Sequence, residues 1–123
     1  MSTLSPEQVA TELQNAHTNM RDYLVPFLAN HSVTMEEKRK ALEGHMTILD
    51  RLQRALMVLC VHLEQLPQPP SSLQTWAQIL AALQQIKDRF GIQRNFSDEG
   101  AFDARCAHIT PLLDALARAM RGL

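Results

Sequence analysis

The chain has 123 residues, 46% of them hydrophobic and 20% charged, with a formal net charge of −1 at neutral pH. That length fills one core and not two, so residues 1–123 are read as a single domain. A near-neutral chain sets up no global field for polyanions, which argues against a nucleic-acid binder or a protein held to an anionic membrane.

Aromatic residues and glycines are scarce, whereas Leu, Ala and Gln abound. Those three lose little on entering a helix, so the composition favours an all-α fold. The first residues carry no basic stretch and no apolar core of a leader, and open directly onto a helix start. No uncharged apolar run reaches membrane-spanning length, because the stretch Ala55 to Val61 gives way to His62 and Glu64. Cys60 and Cys106 lie far apart inside helical patterns, which suits small buried thiols in a reducing compartment. The chain is expected in the cytoplasm.

The first helix is predicted over about 6–29. Ser5, Pro6 and Gln8 make a capping box with a proline at the first helical position. Its stripe is Val9, Leu13, Ala16, Met20, Tyr23 and Phe27, and Pro26 should kink or end it. The second helix, about 35–66, is the longest and opens on Thr34 with Glu37. Its seam places Leu42, Leu49, Leu56 and Leu63 at heptad position a, and His45, Leu52, Leu59 and Leu66 at d. The run Glu36-Glu37-Lys38-Arg39-Lys40 reads as a solvated first turn in which Glu36 pairs with Arg39 and Lys40. Pro67, Pro69 and Pro70 stop the helix.

A surplus distinguishes the second half of this helix. Outward positions are polar up to Arg54 and then become Met57, Val58 and Val61. Either the other helices surround the rod there, or these residues form a contact patch for another protein or a second copy, or the heptad register is misplaced.

Ser71 or Ser72 starts the third helix, about 72–90, on the stripe Leu73, Trp76, Leu80, Leu83 and Phe90, widened by Ile79 and Ile86. Gly91 is expected to terminate it as a C′ residue. Lys87, on its seam, is expected to lay its stem on the core and reach solvent. Gln74, Gln78, Gln84 and Gln85 read as its wet face. The fourth helix, about 98–121, is capped by Ser97, with stripe Phe102, Cys106, Ile109, Leu113, Leu116 and Met120. Pro111 interrupts it, but the heptad phase continues through, which favours one kinked rod. Short links between four such rods predict an antiparallel, up-down-up-down four-helix bundle.

No sequence motif names a reaction. Gly-x-Gly-x-x-Gly, the P-loop, the Gly-x-Ser-x-Gly elbow and His-Glu-x-x-His are all absent. Neither a Glu-x-x-His pair nor a clustered Cys/His set occurs, so no catalytic residue, cofactor site or metal ligand is assigned. His45, the one histidine on the seam, reads as buried and hydrogen-bonded, with a pH switch or metal ligand as the sharper alternative. The expectation is a non-enzymatic protein–protein interaction module, such as an adaptor, inhibitor, regulator or chaperone. It would act through Met57, Val58 and Val61 on another protein or as a homodimer. The alternative is a sensory bundle with a small-molecule pocket among Tyr23, His45 and Trp76; an enzyme would need a buried cluster of charged side chains.

Overall fold

A computed structural model describes residues 5–123. The reading of a missing leader rests on residues 1–4, which lie outside the described residues. Helix α1 (Pro6–Asn19) passes through a π turn (Met20–Leu24) into α2 (Val25–Leu28), and the three form the first rod. Helix α3 (Met35–Glu64) is the second, α4 (Ser72–Gln93) the third, and α5 (Glu99–Cys106) with α6 (Ile109–Met120) the fourth. Among the described residues there is no strand. With its 30 residues, α3 is about 45 Å long.

Local chemistry sets the rod starts. Ser5 and Gln8 complete the capping box, each backbone N–H donating to the other's side chain at 2.9 and 3.2 Å. Thr34 Oγ1 accepts from the Glu37 N–H at 3.1 Å. At α5 the cap is Asp98 and not Ser97: its carboxylate accepts from the Ala101 N–H at 2.9 Å.

The π turn answers Pro26. A proline has no N–H for the carbonyl four residues back, here Asp22, and its ring crowds that carbonyl. A turn closed by Val25 N–H on Met20 O widens the helix and takes in one extra residue. That residue rotates everything after it by about 100°. The buried line therefore continues as Leu24 and Leu28, and not as the expected Tyr23 and Phe27; Tyr23 is 70% exposed.

The rods pack as an antiparallel four-helix bundle. Glu43, Asp50 and Gln53 of α3 meet Arg94, Lys87 and Gln84 of α4, so one number rises as the other falls. Gln93 likewise meets Phe102, and Thr75 lies beside Gly122. Contacts of α1 with α3 and α6 close the ring. The seam of α3 is buried at Leu42, Leu49, Leu52, Leu56, Leu59 and Leu63, against Trp76, Ile79, Leu83, Ile86 and Phe90 of α4 and Ile109, Leu113 and Leu116 of α6.

Two boundaries differ from the expected ones. Helix α4 runs through Gly91, whose φ is not positive, to Gln93, so no C′ glycine closes it. Gln93 is fully buried and donates to Phe102 O at 2.7 Å, which rewards the extra turn. The fourth rod is kinked as expected, dividing at Ala107–His108. Pro111 leaves the Ala107 carbonyl without its helical donor. The buried line nonetheless passes through the break from Phe102 to Ile109, Leu113 and Leu116.

Candidate functional site

At 100° per residue, the buried leucines of α3 define one line down the rod, and Met57, Val58 and Val61 fall on the opposite side. They are 53%, 56% and 51% exposed. Neighbouring rods leave this face open. Its flanks are polar: Arg54 pairs with Asp50 at 3.0 Å, and Arg51, His62, Glu64 and Gln65 are exposed. Beside it, α1 and α3 enclose a groove of about 320 Å³. Ala16, Ile48, Leu52 and Ala55 line its apolar part, and Glu12 and Arg51 stand among the polar residues.

Lys87 does not end in solvent. Its ammonium donates to Asp50 Oδ1 at 3.0 Å and Gln53 Oε1 at 2.7 Å, tying α4 to α3. The hydrogen bond from Lys87 holds the Asp50 carboxyl below the ordinary carboxylate range, assisted by the charges of Arg54 and Lys87 against some desolvation. Gln84 extends this ladder to Gln53 and Asp88. The glutamine face thus joins two helices at one point while remaining exposed.

The expected solvated turn at Glu36–Lys40 is only partly that. Lys40 pairs with Glu36 at 3.6 Å, but Arg39 donates to the carbonyls of Arg94 and Phe96 at 3.1 and 3.2 Å. Lys38 is 0% exposed. Its ammonium has no hydrogen-bond partner and lies 3.9 Å from Asp103 Oδ1 and 5.5 Å from the centroid of the Phe102 ring. Gln93 Oε1 is another unpartnered atom at this end of the bundle. The signal for Lys38 was in the sequence: counting back one heptad from His45 puts it at a seam position.

His31 Nδ1 stands 3.7 Å from Asp103 Oδ2 and 4.0 Å from Glu99 Oε1, a grouping of ligand-type atoms at the open end. His31 and Glu99 are exposed, and Asp103 already faces the buried ammonium, which offsets its charge. His45 is half-buried and bonded at 2.9 Å to Ala41 O of its own helix. The pocket expected among Tyr23, His45 and Trp76 does not form. Met46 lies against Gly91, placing His45 near that level of α4, about 22 Å from Trp76. Trp76 is 4% exposed in the core, and Tyr23 points to solvent on the π turn. Cys60 and Cys106 are both free, and burial pushes both thiols up from their ordinary range. No family model, curated protein or solved structure matches the chain.

Proposed function

We propose that this chain is a protein–protein interaction module that works through the outward face of α3, and that its occupant is a second copy of the same chain. The observation that carries the reading is the half-exposed trio Met57, Val58 and Val61 on the side of the rod opposite its core. Contiguous exposed apolar area of this kind marks interaction surfaces, and Met adapts to the shape it meets.

Self-pairing is favoured by the order of residues along the helix. Arg51 and Arg54 precede the trio and Glu64 follows it. A twofold axis between residues 59 and 60, with the two α3 helices antiparallel, sets Val58 on Val61 of the other copy. It also brings Arg54 beside Glu64 and Gln65 of that copy, so opposite charges meet at both ends. Such matching of a surface to itself is what an isologous interface requires. Three residues fall short of the ~800 Å² per partner of a stable complex. The flanking Arg51, Arg54, His62 and Gln65 complete the surface, and the expected affinity is micromolar or weaker.

Light scattering tests this. The native chain should show a mass that rises with concentration toward twice the monomer. The double variant Val58→Asp, Val61→Asp should stay monomeric with its melting temperature essentially unchanged, because both sites are exposed. A monomeric native chain at millimolar concentration, or a double variant that dimerises as the native chain does, would refute the reading.

A further inference from the structure

We infer that the cleft between α1, its π turn and α6 binds an oxyanion carrying its own proton, of the hydrogen-phosphate type. The cleft holds about 290 Å³ and is walled by Gln14, His17, Arg21, Ala117, Met120 and Arg121. It shares no residue with the outward face of α3.

His17 sets the chemistry. It is 4% exposed, and its Nε2 lies 3.0 Å from Leu113 O. A carbonyl only accepts, so Nε2 holds the proton and Nδ1 of the neutral ring presents a lone pair. That Nδ1 is buried and has no partner. A buried acceptor without a donor is an exception that calls for one.

The rest of the wall has the opposite need. Arg21 uses Nε and Nη2 on Asp22, at 2.8 and 3.2 Å, and keeps Nη1 free of that pair. Arg121 has no carboxylate within 4.0 Å among the described residues. Gln14 offers an amide whose contact with Thr18 is long, at 3.4 Å. The site thus supplies several donors with positive charge and one buried acceptor. Its complement is an anion with several acceptor oxygens and one O–H. Hydrogen phosphate has both; ionised carboxylate and sulfate have only acceptors. Planar guanidinium groups also match phosphate oxygens well. Asp22 and the carbonyl end of α6 oppose an anion, which sets the expected affinity in the millimolar range.

The test follows the imidazole nitrogens of His17 by NMR in the full chain, at constant ionic strength. Inorganic phosphate is expected to shift Nδ1 along a saturating curve, and sulfate at the same concentration to leave it unmoved. O-phosphoserine, run in parallel, separates the sources. Tighter binding than phosphate assigns the cleft to a phosphate monoester, and weaker binding to the free ion. Arg121→Gln should weaken phosphate roughly tenfold, the loss of one charge-assisted contact, with no change in melting temperature in phosphate-free buffer. A linear, non-saturating shift would overturn the inference. So would a sulfate response equal to that of phosphate, or an unchanged affinity in Arg121→Gln.

Discussion

Asp103→Ala is expected to lower the unfolding free energy by about 3 kcal/mol, the lower end of the range for breaking a buried ion pair. Lys38→Met, by contrast, should fall within about 1.5 kcal/mol of the native chain or exceed it. The asymmetry comes from the environment of Lys38. Its side chain is wholly shielded and its ammonium makes no hydrogen bond. The Asp103 carboxylate at 3.9 Å and the face of Phe102 at 5.5 Å are the contacts that offset its charge. Removing the carboxylate strands a cation in the core. Removing the cation leaves Asp103 with partial access to water and with His31 nearby at 3.7 Å, and a methionine fills the same channel. Urea unfolding of the two variants and their double combination gives the coupling directly. A costly Lys38→Met with a neutral Asp103→Ala would show that the ammonium has a partner other than Asp103.

Leu56→Ala and Met57→Ala, neighbours on one helix, should differ by several kcal/mol. Leu56 is 0% exposed at the centre of the α3 seam, where truncation to alanine costs about 2–5 kcal/mol in lost transfer energy and residual cavity. Met57 stands on the far side of the rod, where such changes usually stay within about 0.5 kcal/mol. Denaturant midpoints read both values. A cost above about 2 kcal/mol for Met57→Ala would mean that the side chain is packed within the monomer, and the open face would be lost.

The bundle was legible because its starts and stops are written in local chemistry. Ser5-Pro6, Thr34-Glu37 and the prolines after Leu66 act through backbone hydrogen bonds that neighbouring residues alone determine. The a/d seam of α3 then identified its inward side, and with it the outward position of Met57, Val58 and Val61. What escaped depends on other rods or on a change of helical pitch. The π turn before Pro26 shifts the phase by one residue, so Tyr23 turns out and Leu24 turns in. The extension of α4 past Gly91 depends on Gln93 finding the Phe102 carbonyl of α5, a contact no local pattern encodes. Lys38 occupied a seam position, but its place in a run of charges made a solvated turn the natural reading. His17 lies one residue beside the predicted stripe, and its carbonyl partner Leu113 is 96 positions away.

The most direct test of the α3 face is a dilution series on the uniformly ¹⁵N-labelled chain, following backbone amide resonances from micromolar to millimolar concentration. The account predicts that shifts move with concentration at Arg54, Met57, Val58, Val61 and Gln65, while amides on α4, α5 and α6 stay fixed. Resonances that hold still throughout, or that move on another face of the bundle, would contradict it.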